Sequence, residues 1–177
     1  RRMHDLACFE AAVRALQARA IRVCAHVILG LPTPATHPAG RLEAEGAAGA
    51  IATALLIARL GVPAVKIHNA HVLEGTGLHA LYRAGRYQPP DLEGFLERLI
   101  AFLSHLPEAV EIHRLVGEAS PPALIAPAFT AEKGRTLAWI TRPSSTTSPS
   151  ICRRCSDRAT IQAEVPSRCV RESSWNC

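Results

Sequence analysis

Apolar residues recur along the first part of the chain in two alternating patterns, one typical of helices and one typical of buried strands. Residues 5–19 carry leucine, phenylalanine and valine at the three-to-four spacing of one helical face. Residues 22–31 (RVCAHVILGL) follow as a short β-branched run that stops at Pro32. Such a run is typical of a strand buried in a parallel sheet. The chain therefore opens with a predicted helix and a predicted strand.

The same alternation continues to residue 140. Residues 42–60 are rich in alanine and free of proline, which predicts a helix with Gly61 at its C-cap. Asp91 is placed as the N-cap of a later helix. The remaining segments are predicted strands at residues 64–72 and 109–116, and predicted helices at residues 78–84, 92–106 and 131–140.

Strands separated by helices of this length predict right-handed β-α-β crossovers and a parallel sheet. The fold class is therefore α/β, as a (β/α) barrel or an open doubly wound sheet. A complete TIM-type barrel takes about eight strands in roughly 250 residues, so three strands cannot close one. On the barrel interpretation, residues 1–140 form a partial (β/α) TIM-type barrel, with parallel strands and flanking helices, as the later portion of a larger domain.

The composition changes at residue 141. Residues 141–177 are dominated by serine, threonine and arginine and show no persistent period, which predicts a disordered or aberrant tail. Four tail cysteines begin as C-x-x-C and are candidate zinc ligands, but the last two are eight residues apart and form no second tight pair. We prefer the interpretation that they are incidental. They are Cys152, Cys155, Cys169 and Cys177.

The bulk composition narrows the class of protein. Of the 177 residues 48% are apolar, and no apolar run approaches the roughly 20 residues of a membrane span. The net charge of +5 comes largely from the tail, and aromatics make up only 5% of the chain, so nucleic-acid binding by this segment is not expected. Six cysteines without an export signal suit a reducing cytoplasm. Because the chain starts at Arg1 directly in helical sequence, we expect the true amino terminus to be missing.

Ligands of parallel α/β sheets lie at the carboxyl ends of the strands. Side chains two apart on a strand share a face, so Lys66 and His68 should point together. By the same rule His68 and His71 should lie on opposite faces, and His113 should lie opposite Arg114. The candidates are His26, Ile28 and Gly30 on the first strand, Lys66, His68, Asn69 and His71 on the second, and Glu111, His113 and Arg114 on the third.

Two of these features have alternative interpretations. His26, His68 and His113 could ligate zinc or iron in a metal-dependent barrel hydrolase, although strand histidines are more often hydrogen-bonded core residues or contacts to an organic ligand. Gly30 could allow a ligand or another backbone to approach closely, or could simply be a turn glycine.

Three segments, in this order, resemble a known family. They are HDLACFEAAVRALQARAIRVCAHVILGLP, GVPAVKIHNAHVLEGTGLHALYRAGRY and EIHRLVGEASPPALIAP. Together they are similar to the carboxy-terminal part of the uncharacterised bacterial radical S-adenosylmethionine (SAM) family related to elongator-type radical SAM enzymes. The resemblance covers residues 1–140. It implies a parent enzyme that cleaves SAM reductively at a [4Fe-4S] cluster held by a C-x-x-x-C-x-x-C loop.

None of the six cysteines has that spacing. The resemblance therefore implies a fragment that is inactive alone and whose partner is the missing amino-terminal half of the barrel. It implies no metal ligand in this chain. The cofactor-binding residues that it implies are His26, Ile28, Gly30, Lys66, His68, His71 and Val72, and the substrate wall that it implies is His113 and Arg114.

The sequence departs from the family at three places. Thr33-Pro34 stands where the family usually has Gly-Glu, and Arg2-Met3-His4 stands for Arg-Gly-His. The likeness ends at Ile140, and we hypothesise that the residues after Thr141 are out of frame. A rival hypothesis is a non-catalytic α/β module whose exposed edge strands pair with a separate partner chain. The residues do not specify the substrate.

Overall fold

The computed structural model describes residues 5–36, 40–119 and 121–140. Arg2-Met3-His4 and the predicted tail at 141–177 lie outside these ranges. Along the described chain the elements are α1 (Leu6–Gln17), β1 (Cys24–Leu29), β2 (Pro32–Thr36), β3 (Leu42–Ala44), α2 (Ala47–Arg59), β4 (Ala64–Asn69), β5 (Val72–Leu73), α3 (Gly77–Arg83), α4 (Leu92–Ser104), β6 (Glu111–Arg114), β7 (Leu124–Ala126), a 3-10 turn (Ala128–Glu132) and α5 (Lys133–Ile140).

A three-stranded parallel sheet is the centre of the fold. Its strand order is β1-β4-β6, with β4 in the middle. Cys24 pairs with Ala64, which in turn pairs with Glu111, so the three strands start at the same level. The predicted α/β class, with parallel strands and flanking helices, is confirmed.

Helices cover one face of this sheet. Alternate residues of β1 and β4 point into the core, where they meet α2 and α4. Burying each large apolar side chain in this layer contributes about 1.5–3 kcal/mol. The fully or almost fully buried residues of the layer include Val27, Leu29, Val65 and Ile67 from the strands and Ile57, Phe95, Leu99 and Phe102 from the helices.

Polar side chains cap the helices that pack on the sheet. The Cys8 amide donates a 2.8 Å hydrogen bond to Asp5 Oδ1 at the start of α1. The Gly94 amide donates a 2.9 Å bond to Asp91 Oδ1 at the start of α4, so the predicted N-cap is confirmed. Such caps satisfy amide groups that the first helical turn leaves unpaired. None of the helices in the described ranges is long and apolar enough to span a lipid bilayer.

The prediction of a helix over residues 42–60 is wrong at its amino end. Residues 42–44 form β3, which pairs antiparallel with β2, and the helix starts only at Ala47. The Leu42 amide donates to the Arg86 carbonyl and the Glu45 amide to the Leu31 carbonyl, both at 2.7 Å. These long-range bonds hold the segment extended. At the other end the C-cap is Leu60 rather than the predicted Gly61, which comes next with φ +60°.

The predicted strand over residues 64–72 is divided in two. β4 ends at Asn69, and Val72–Leu73 form β5, which pairs antiparallel with β7. The pattern of residues 64–72 gives no sign of the break, because the partner of β5 lies about 50 residues further along the chain.

Gly30 lies at the end of β1 with φ +84°, a left-handed conformation that favours glycine. The Tyr87 hydroxyl donates a 2.6 Å hydrogen bond to the Gly30 carbonyl from within the core. A Cβ atom at Gly30 would lie 2.6 Å from Cγ of Pro90. Another part of the chain therefore makes the close approach that this glycine allows.

Gly30→Ala should lower the free energy of unfolding by about 3 kcal/mol, since it combines left-handed strain with a clash against a rigid proline ring. Gly85→Ala is the matched control. Gly85 has φ +65° but open space around its Cα, so its substitution should cost about 1 kcal/mol. Urea denaturation of both variants measures the difference. An equal loss of unfolding free energy in the two variants would mean that Pro90 moves aside without an energetic cost.

Candidate functional site

The sheet surface opposite the helices is polar. We call it the polar face. Lys66, His68 and Arg114 are half-buried on it, and the remaining members are exposed. A sheet surface of this kind does not pack as an apolar core, because cationic side chains are costly to bury without partners. Its members are Cys24, His26 and Ile28 of β1, Lys66 and His68 of β4, and Glu111, His113 and Arg114 of β6.

A β-bulge determines how β6 presents its side chains. Ile112 pairs with Val65, but the next pair is Arg114 with Lys66, so His113 is the extra residue. His113 Nδ1 lies 3.6 Å from Cys24 Sγ, and Arg114 Nη1 lies 3.1 Å from His68 Nε2. Both side chains therefore reach the polar face. The prediction that His113 lies opposite Arg114 is wrong, because strict alternation fails at a bulge.

The polar face has two separate polar groups. At the amino ends of the strands His113 Nε2 lies 3.4 Å from Glu111 Oε2, and Glu111 also forms an ion pair with Arg22. The hydrogen bonds from Arg22 and His113 lower the pKa of Glu111. His113 therefore lies with Cys24 and Glu111 at the amino ends of the strands. A residue of the predicted substrate wall would be expected at the carboxyl ends instead.

The second group lies nearer the carboxyl ends and centres on His68. A guanidinium has no acceptor, so Arg114 donates to His68 Nε2, which must be unprotonated. The His26 ring stands edge-on to His68, with ring centroids 4.4 Å apart. Lys66 pairs directly with His26 in the register and contributes a second positive charge. These four side chains form a compact cationic cluster.

Burial and positive neighbours keep the histidines of this cluster neutral. Burial is the largest cause that lowers the pKa of His68, to about 4, followed by His26, Arg114, His71 and Lys66. Burial, then Lys66 and Arg114, also lowers the pKa of His26. Both imidazoles are uncharged at neutral pH, so the charge of the cluster belongs to Lys66 and Arg114.

His71 joins His68 just beyond the end of β4. The two ring centroids are 6.3 Å apart, so the prediction that they lie on opposite faces is wrong. The chain leaves the strand after Asn69, and the rule of alternation stops there. Burial lowers the pKa of His71. Its Nε2 atom is buried and has no hydrogen-bond partner among the described residues.

Gly117 makes this arrangement possible, and sequence reasoning missed it. A Cβ atom at Gly117 would lie 2.4 Å from His68 Nδ1 and 3.0 Å from His71 Cε1. Its amide donates a 3.2 Å hydrogen bond to Asn69 Oδ1, whereas Asn69 Nδ2 is buried and lacks a described partner. The available signal was a glycine shortly after the third strand.

Two predicted cofactor-binding residues are not open to the polar face. The side chain of Val72 is fully buried in a small core with Tyr87 and Ala126. Pro90 fills the space on the Cβ side of Gly30. The placement of Val72 and Gly30 gives no support to a contact between them and a ligand. The cofactor-binding role of His26, Ile28, Lys66, His68 and His71 remains a prediction.

The described residues offer no set of metal ligands. No group of three or more His, Cys, Asp or Glu side chains in the described ranges is placed to hold a metal ion. His26 and His68 lie together, but His113 turns to Cys24. This geometry gives no support to the alternative in which His26, His68 and His113 ligate one metal ion. The tail cysteines, with their candidate zinc site, lie outside the described residues.

Together these features define an α/β protein with a helix-flanked parallel sheet and a polar face opposite the helices. Residues 62–143 match the family described as the Radical_SAM C-terminal domain. A solved structure of the archaeal Elp3 of Methanocaldococcus infernus, with an N-terminal deletion, superposes with a TM-score of 0.60 at 18% identity, covering 78% of this chain and 32% of that one. That likeness concerns the fold alone.

Curated relatives match over similar lengths. Protein YhcC of Escherichia coli K12 is 30% identical over 71% of this chain and 37% of its own length. YtqA of Bacillus subtilis is 28% identical over 80% and 40%, and MJ0486 of Methanocaldococcus jannaschii is 32% identical over 70% and 35%. The chain thus spans well under half of each relative. These matches make it similar to the carboxy-terminal part of radical SAM-related proteins.

The titration of His68 tests the geometry of the cluster. An imidazole pKa of about 4 is expected by NMR. Arg114→Gln should raise this pKa, because a positive neighbour is lost, although burial still holds it below the unfolded value of 6.5. Arg83→Gln, on an exposed helix position, should leave it unchanged. An unperturbed His68 in the wild-type chain would contradict the described packing.

The same titration has a consequence for stability. Between about pH 4 and 6.5 the unfolded chain binds a proton at His68 that the folded chain does not. The His68 contribution to stability is therefore full above this window and is lost as the pH falls through it. A His68→Gln variant should show a shallower decline in urea-unfolding free energy over this window.

Proposed function

We propose that the polar face is part of the inner wall of a radical SAM barrel whose other strands come from the amino-terminal half of the parent protein. The observation that carries this proposal is a half-buried cationic cluster on the sheet face that the helices leave open. In the sheet order β1-β4-β6, strands β1 and β6 each have one edge without a described partner strand in this sheet. Further strands could pair there.

The residues of this chain do not fit a [4Fe-4S] cluster. The two cysteines in the described ranges lie on different elements, Cys8 on α1 and Cys24 on β1. The 177 residues contain no C-x-x-x-C-x-x-C. The cluster of the parent protein would need its ligands from another part of that protein.

The polar face does suit the adenosine part of SAM. Ile28 is 44% exposed and offers an apolar surface. The neutral ring of His26, two residues before Ile28, lies on the same face, and His68 pairs with Ile28 on the next strand. The buried Nε2 atom of His71 needs a hydrogen-bond partner, which a polar group of a ligand could supply. Adenine is flat and has both an apolar face and a polar edge, as this surface requires.

In the parent protein, SAM and a [4Fe-4S] cluster held by other residues would supply radical chemistry. The residues of this chain would bind and orient. His26 and Ile28 would hold the adenosine, Arg114 would stay in place through its bond to His68, and the helix layer would exclude water from behind the sheet.

The isolated chain should not cleave SAM, because it lacks cluster ligands. Anaerobic reconstitution of the 177-residue chain with iron and sulfide, followed by reductant and SAM, should yield no 5′-deoxyadenosine above a protein-free control. Product formation by the chain alone would overturn the assignment of the cluster to another part of the parent.

The adenosine contacts can be tested without any cluster. Titration of SAM into the ¹⁵N-labelled chain should shift the Ile28 amide and the His26 and His68 ring signals. Ile28→Ser should weaken this binding about fivefold, since apolar contact area is lost. Leu55→Ser is the matched control, because Leu55 is 53% exposed on α2 in the helix layer. Equal effects of both substitutions, or no shift on the polar face, would favour a non-catalytic module that pairs with a separate chain.

A further inference from the structure

The cationic cluster carries two positive charges without a matching negative one. Lys66 and Arg114 are direct register partners on β4 and β6, and both are half-buried. Within the described ranges, no carboxylate lies within 4 Å of the nitrogens of either side chain. Glu111, the carboxylate of the polar face, is held by Arg22 and His113 at the amino ends of the strands. The charge of this pair is therefore uncompensated.

The neighbours of the pair fix its geometry without reducing its charge. His68 accepts a hydrogen bond from Arg114 and is neutral, so it orients the guanidinium but offers no counter-charge. His26 is neutral as well and lies against His68. Two like charges held side by side on a half-buried surface repel each other. An anion between them would relieve that repulsion.

We propose that Lys66 and Arg114 form a binding site for an anionic group, a carboxylate or a phosphate, carried by the substrate. This inference rests on the proposed function, because it takes the polar face as the wall of the substrate chamber. A planar guanidinium suits the paired oxygens of either group, and the ammonium of Lys66 adds a point charge. Arg114 is thus a binding residue, and His68 is the positioning residue behind it.

The probes are inorganic phosphate and acetate, titrated separately into the ¹⁵N-labelled 177-residue chain at constant ionic strength. Saturable shifts of the His68 and His26 ring signals are expected with at least one of the two. Lys66→Gln and Arg114→Gln should each raise the dissociation constant about tenfold, as the loss of a charge-assisted contact does. Lys66→Arg keeps the charge and should stay within about twofold of the wild type.

Arg83→Gln is the control for a general loss of positive charge and should leave the binding unchanged. Amide signal dispersion of each variant shows whether it is folded. If either glutamine variant is not folded, Lys66→Arg remains as the variant with which the proposal is tested. Absence of a saturable shift with both probes would overturn the proposal. Equal binding by the wild type, Lys66→Gln and Arg114→Gln would also overturn it, since the anion would then be bound elsewhere.

A competition experiment separates the two sources of a carboxylate. If SAM displaces the bound phosphate or acetate, the pair takes the methionine carboxylate of SAM, and the assignment to the substrate is wrong. If SAM and the anion bind together, the assignment stands. Anion binding without any SAM binding would leave the anion site in place but remove the proposed radical SAM function. SAM binding without anion binding would remove the anion site but leave the proposed radical SAM function in place.

Discussion

The pairing of β4 with both of its neighbours is the constraint on which the rest of the structure depends. Val65 and Ile67 of this strand are completely buried against the helix layer, while Lys66 and His68 between them point to the polar face. The side-chain period of a strand is two, so the same register that builds the core also places the cationic cluster. A shift by one residue would expose Ile67 and bury Lys66. Core stability thus fixes the position of the candidate site.

The sequence predicted the α/β class because its signals are local. Short β-branched runs, helical periodicity and the N-cap at Asp91 need no knowledge of distant residues. The bulge in β6 was beyond such reasoning, since nothing within EIHR marks His113 as the extra residue. Its position arises from pairing with β4, whose residues are 47 or 48 positions earlier in the sequence. The error over His113 and Arg114 therefore came from applying a rule for regular strands to an irregular one.

Two glycines show the same limit of prediction from sequence. Gly30 was a candidate for close approach by a ligand, yet the atoms that crowd it belong to Pro90. Gly117 attracted no attention in the sequence, yet the rings of His68 and His71 lie against it. Both cases depend on contacts between residues that are far apart in the chain. Sequence pattern identifies a glycine, but only the folded neighbours determine what it makes room for.

The lowered pKa of His68 connects the proposed anion site to the protonation of the polar face. Burial is its main cause, but Arg114 and Lys66 contribute in the same direction. An anion between these two cations would offset their charge, while Arg114 stays oriented only as long as His68 Nε2 accepts its hydrogen bond. Protonation of His68 would remove that acceptor and release Arg114. The neutral imidazole therefore both orients the guanidinium and sets the range of pH over which that orientation lasts.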